Sequence, residues 1–121
     1  TTPYIHVVGG KVLMTGLVGE ITTASGANAC SWATNPDTGA DAAVCAALDI
    51  NPALIGDALT ITGVGNGAMT YNASATGLPM MHAGVVLSPG TVDFIMAAAD
   101  GATKWSLFYV PIDDGAYVEI V

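Results

Sequence analysis

Charge is what this 121-residue chain has least of, since Asp, Glu, Lys and Arg make up 10% of it, against the roughly 25% usual in soluble domains. Positive charge is scarcer still. Lys11 and Lys104 stand against ten acidic residues, for a formal charge of −8. Binding to nucleic acid by phosphate neutralisation needs clustered Lys and Arg, so neither nucleic acid nor an anionic membrane is expected as a partner. Histidine occurs twice, at His6 and His82, outside HExxH or any similar spacing. Cysteine also occurs twice, and neither Cys30 nor Cys45 lies in a CxxC pair. Two thiols do not make a zinc site without histidines beside them. They read as two buried free thiols, with a disulfide between neighbouring strands as the alternative.

Long apolar runs are missing too. Hydrophobic residues are 52% of the chain, yet no stretch reaches the roughly 18 uninterrupted apolar residues of a membrane-spanning helix. Eight aromatics are few for the girdles of a transmembrane barrel. The opening TTPYIHVVGG has neither the basic segment nor the apolar core of a signal peptide, which leads us to expect cytoplasmic synthesis. Catalytic motifs are equally scarce. Ser25 in TASGA is not a nucleophile elbow. GVGNGA has no lysine after it and opens no helix, so it is not a phosphate cradle. NPDTGAD alternates Asn35, Asp37, Gly39 and Asp41 like a loose calcium loop but lacks the downstream glutamate. No enzyme activity, metal or cofactor is expected.

What remains is β-forming sequence punctuated by turns. KVLMTGLVGEITT is rich in β-formers, with Gly16 and Gly19 suited to a kink or bulge. ANACSWATNP alternates, with Cys30, Trp32 and Thr34 on one face. NPDTG is a turn, and the alanine-rich ADAAVCAALDI is read as strand between two turns, with helix as the alternative that its alanines favour. Asn51-Pro52 is expected to open a short helical turn through Gly56. Residues 65–83 read as a long loop with one weak strand around Met69 to Asn72. The β signal then strengthens. GVVLS runs into Pro89-Gly90, TVDFIMAAA into Asp100-Gly101, and TKWSLFYVPI into Asp113-Asp114-Gly115, before AYVEIV. Strands recurring every 10–12 positions with turn chemistry between them predict an all-β, antiparallel, jelly-roll-like β-sandwich of about eight strands. One domain spans 11–121, preceded by an extended N-terminal arm at 1–10. That arm adds to a neighbouring subunit's sheet edge or forms the first strand of its own domain.

Alternation separates the faces of these strands. Trp105, Leu107 and Tyr109 share one side, expected in the core; Lys104, Ser106, Phe108 and Val110 share the other. Val92, Phe94 and Met96 are expected inward, with Thr91, Asp93 and Ile95 outward. A domain of this mass has on the order of 6,000 Å² of surface, and twelve charged side chains cannot cover it. Exposed apolar faces mark partner surfaces, so a self-associating protein is expected. Tyr4, Ile5, His6, Phe108 and Val110 are its candidate assembly interface. Asp113 and Asp114 read as a polar corner between two strands.

The segments GLVGEITTA, AAVCAALDI and VVLSPGTVDFIMAAADGATKWSLFYVPIDDGAYVEIV carry a pattern. A strand enters Pro-Gly-Thr, followed by Gly-x-x-Lys-Trp and by Tyr-x-Pro-hydrophobic ahead of a Gly-Ala turn. In this the chain resembles small virion structural proteins of tailed bacteriophages, in particular head decoration or cement proteins. The resemblance implies a β-sandwich, often a homotrimer, held on the outer capsid surface by the major capsid protein. The alternative is a receptor- or carbohydrate-binding module of a tail or fibre, which needs exposed aromatics; Trp32, Tyr71 and Tyr117 are the candidates.

Overall fold

The computed structural model describes residues 2–50, 54–65, 67–72, 84–98 and 101–121. His82, Asp100, the Asn51-Pro52 turn opening and most of the expected 65–83 loop lie outside the described residues. Among those described, eleven strands form and no helix does: β1 (Thr2–Val8), β2 (Val12–Thr23), β3 (Ala29–Pro36), β4 (Ala42–Ala43), β5 (Leu48–Asp49), β6 (Ala58–Thr60), β7 (Thr70–Asn72), β8 (Val85–Leu87), β9 (Gly90–Met96), β10 (Ala102–Pro111) and β11 (Tyr117–Ile120). They make two antiparallel sheets. A six-stranded sheet runs β11-β1-β9-β3-β4 with β5 also on β3, and a five-stranded sheet runs β10-β2-β6-β7 with β8 also on β2. The chain changes sheet at β1–β2, β2–β3, β5–β6, β8–β9, β9–β10 and β10–β11, so the two layers of the sandwich are stitched together along its length.

Period-two alternation supplies the core between them. Ile5 and Val7 from β1, Cys30 and Trp32 from β3, and Val92 and Phe94 from β9 face Val12, Met14, Leu17 and Ile21 from β2, with Leu59 and Leu87 beside them. Trp32 is fully buried. It meets Tyr4 edge-on at 5.6 Å, Trp105 edge-on at 5.1 Å, and Phe94 at 4.9 Å. Edge-to-face aromatic pairs of this kind add about 0.5–1.5 kcal/mol each beyond their area burial.

The pairing of β2 with β10 explains how twelve residues match ten. The register steps from Thr103↔Ile21 to Ala102↔Thr23, and from Tyr109↔Met14 to Phe108↔Gly16. Thr22 and Thr15 are therefore the extra residues, and both bulges lie on β2. The bulge at Thr15 changes the phase of the strand. Val12 and Met14 face inward before it, and Leu17 and Ile21 face inward after it. Without that extra residue one of the two groups would turn to solvent. Gly19 lies opposite Trp105. A Cβ there would come within 2.7 Å of the indole, so glycine leaves the room that the ring occupies against β2.

Several expectations are refined. Residues 2–8 are extended, and of the two roles weighed for them they take the second: β1 is an interior strand, paired to β11 on one side and β9 on the other. Eleven strands, several of two or three residues, stand where about eight were expected. ADAAVCAALDI breaks into β4 and β5, because Val44 and Cys45 turn in to bond the Trp32 carbonyl. Leu54 to Asp57 forms a single turn, closed by Asp57 N–H on the Leu54 carbonyl at 3.1 Å. The weak strand expected near Met69 is β7. On β9, Val92 and Phe94 point inward as expected, but Asp93 is buried and Met96 is exposed. Asp93 lies between Pro3 and Ala33 in the middle of the six-stranded sheet. Its carboxylate accepts the Thr91 hydroxyl at 2.8 Å. Met96, the last residue of the strand, is paired with Cys30 and lines a cleft beside Phe94 and Trp105.

Gly19→Ala is expected to destabilise the fold by ~1–3 kcal/mol, the usual cost of overpacking, and to red-shift the tryptophan emission as Trp105 is pushed outward. Thermal melts and fluorescence spectra check both; an unchanged spectrum would show that the indole does not rest on Gly19.

Candidate interaction surface

Among the described residues, those that could carry chemistry are spread out rather than gathered. His6 Nδ1 lies 3.2 Å from Glu119 Oε1 across the β1–β11 pair. Both side chains are about half-exposed, so the pair contributes little to stability. Asp113 works as a corner. Its Oδ2 accepts the Lys11 N–H at 2.8 Å, and its own carbonyl takes the Ala116 N–H. Gly115 supplies the positive φ of 78° that this turn requires. Asp37 and Asp41 are exposed on the loop after β3. Among the described residues, no three of His, Cys, Asp and Glu come together as metal ligands would.

Cys30 and Cys45 are both free and buried. Cys45 Sγ accepts the Trp32 backbone N–H at 3.3 Å, and Cys30 Sγ approaches the Asn28 carbonyl at 3.6 Å. Burial pushes the Cys30 thiol up to about 11, with the Asp49 carboxylate and Cys45 adding to it. Cys45 is raised mainly by burial as well. These are inert core thiols. Tyr71 donates its hydroxyl to the buried Asp57 carboxylate. Its ionisation is raised by burial first and then by that hydrogen bond.

Between β10 and β11 the sandwich is open on one side. A cleft of about 230 Å³ there is lined by Tyr4, Leu17, Trp105, Leu107, Tyr109 and Val118, among others. Trp105, Leu107 and Tyr109 point inward as expected, yet they are half-buried rather than enclosed. The Tyr109 hydroxyl reaches across and accepts the Val118 N–H at 3.3 Å. The indole N–H groups of Trp32 and Trp105 are buried and find no hydrogen-bond partner among the described residues.

The outer face of the five-stranded sheet carries an apolar row. Val110 lies opposite Leu13, and Leu13 opposite Val86, so β10, β2 and β8 line up their side chains across the sheet. Phe108 is the next outward residue along β10. Phe108 and Val110 are each 53% exposed, Val86 is 55% exposed, and Ile112 continues the row at 52%. Contiguous exposed apolar groups of this kind are a mark of partner surfaces.

The five residues expected to form one interface therefore separate. Ile5 is in the core, Tyr4 packs on Trp32 and Phe94, and His6 lies on the outer face of the six-stranded sheet. Only Phe108 and Val110 share a surface. Leu13 and Val86 join them and were missed. Leu13 precedes the Thr15 bulge, so its face could not be counted from the glycines after it, and Val86 belongs to a strand of three residues. The aromatics considered for sugar binding are also separated: Trp32 is buried, Tyr71 is engaged by Asp57, and Tyr117 is exposed on β11. Comparison of the chain with family models, with curated proteins and with solved structures returned no match.

The thiols lead to a pH dependence. The unfolded chain ionises Cys30 near the ordinary cysteine value of about 8.5, while the folded chain holds the proton to about 11. The folded state thus binds more protons between these values, and this contribution to stability is complete below about pH 8.5 and is lost as pH rises through 11. Cys30→Ala is expected to lose less Tm than the native chain between pH 8.5 and 10.5. Equal losses in the two proteins would rule this linkage out.

Proposed function

We propose that this chain is a structural subunit that works by burying apolar surface on a larger assembly. The observation that carries the reading is the row of Leu13, Val86, Phe108 and Val110 on the outer face of the five-stranded sheet. Packing of the core does not require Phe and Val on the outer face of the strand, and burial against a partner would remove them from water. Those groups gain free energy by leaving water, at about 25 cal/mol per Å². The net charge of −8 supports the same reading, since repulsion between free particles keeps so apolar a protein in solution until it docks.

The sequence resemblance supplies the setting. In it the assembly is the head of a tailed bacteriophage, the protein is a decoration or cement protein on the outer capsid surface, and the partner is the major capsid protein. The role is mechanical rather than enzymatic: area buried across capsomer junctions resists internal pressure. Self-association into a homotrimer is part of what the resemblance implies.

Purified protein added to undecorated heads is expected to bind saturably and at fixed stoichiometry in a co-sedimentation assay. The double variant Phe108→Asp/Val110→Asp is expected to keep its fold, because both side chains face solvent. It should bind heads at least tenfold more weakly, since each lost side-chain burial costs about 1.5–3 kcal/mol. Absence of saturable binding by the native protein would defeat the capsid reading.

A further inference from the structure

The five-stranded sheet ends in a strand with one open side. β10 pairs with β2, and among the described residues no strand pairs with its other edge. Its ten residues, at about 3.4 Å each, expose roughly 34 Å of hydrogen-bonding edge. Folded proteins blunt such edges with charged side chains, bulges, prolines or inward-pointing charges. Lys104 near the start of β10 is one such charge, but none of these devices interrupts the strand from Trp105 to Val110. Both bulges of the β2–β10 pair lie on β2, Pro111 stands at the strand's last position, and its one charged residue, Lys104, points outward. The inward residues are Trp105, Leu107 and Tyr109, left half-covered beside the open cleft. β11, across that cleft, is a poorer template, because one of its edge N–H groups is already taken by Tyr109.

We propose that β10 pairs antiparallel with β10 of a second copy, about a two-fold axis at Leu107. This rests on the reading that the chain works in an assembly, and it names the contact. Charge permits the pairing: β10 contains none of the chain's ten carboxylates. A two-fold axis that extends the sheet keeps inward residues opposite inward residues. With the axis at Leu107, that residue faces its own copy, and Trp105 of each chain faces Tyr109 of the other. Aromatic cross-strand pairs of this kind stabilise antiparallel ladders. Moving the register by one step would place Tyr109 opposite Thr103 and lose that match. On the outer face, Lys104 faces Val110 and Ser106 faces Phe108, so the two lysines stay at opposite ends. The two five-stranded sheets become continuous, and the apolar rows of both copies come onto one face. A two-fold contact is compatible with a three-fold one in a particle of dihedral symmetry.

Disulfide trapping tests the register. Facing Cα atoms in an antiparallel pair are about 4.5–5.5 Å apart, within disulfide reach, and the two native cysteines are buried. Leu107→Cys is expected to form a covalent dimer under mild oxidation. Ser106→Cys alone and Phe108→Cys alone are expected to stay uncrosslinked, whereas a mixture of the two should crosslink. Leu107→Lys, which sets two like charges on the axis, is expected to weaken self-association at least tenfold in sedimentation velocity while keeping a native circular dichroism spectrum. Uniform crosslinking of all three cysteine variants, or a monomeric native chain, would overturn the β10 contact. So would a trimer in which Leu107→Cys stays uncrosslinked. Saturable head binding in any of these cases would leave the assembly reading standing, and its loss with the β10 dimer intact would remove that reading alone.

Discussion

The aromatic cluster around Trp32 joins the two sheets. That residue comes from β3 in the six-stranded sheet, and Trp105, which meets it edge-on at 5.1 Å, comes from β10 in the five-stranded one. Tyr4 and Phe94 complete the cluster from β1 and β9. The arrangement depends on two features of β2 that touch no partner. Gly19 leaves room for the Trp105 indole against the backbone, and the bulge at Thr15 brings Met14 and Leu17 onto the same inner face. Filling the first would displace the ring, and removing the second would turn half a strand inside out.

Scarcity of charge explains the outside as the cluster explains the inside. With two lysines and ten carboxylates, the surface is left to small polar and apolar residues. The acidic groups serve largely as turn and edge residues: Asp113 holds the Lys11 corner, Asp57 takes Tyr71, and Glu119 meets His6. Apolar side chains are then free to collect on the outer face of the five-stranded sheet. The longest edge on the open side of the sandwich, β10, is also free of carboxylates.

Much of the fold was legible along the chain. The all-β class followed from turn chemistry at Pro89-Gly90, Gly101 and Asp113-Asp114-Gly115. The phase of β10 followed from its simple alternation, which the structure reproduces residue by residue. At β9 alternation gave the direction of Asp93, which shares the outer face with Thr91, but not its burial. It was also insufficient for β2, where the glycines pointed to a bulge but not to Thr15 and Thr22 as the inserted residues. The surface was legible in half. Phe108 and Val110 were readable from β10 alone, whereas Tyr4 and Ile5, read as part of the same interface, belong to the core.

Composition and alternation by themselves determined a charge-poor antiparallel β protein with an apolar outer face on its longest late strand. These are local properties, set by which side chains stand two residues apart and which residues permit a turn. Only the tertiary structure decided that β1 lies between β11 and β9, that Leu13 and Val86 extend the row begun by Val110, and that β10 has one edge unpaired among the described residues. Those facts depend on which strands, far apart in sequence, become neighbours. Backbone hydrogen bonding can satisfy many such pairings equally well, and burial of the side chains around Trp32 selects among them.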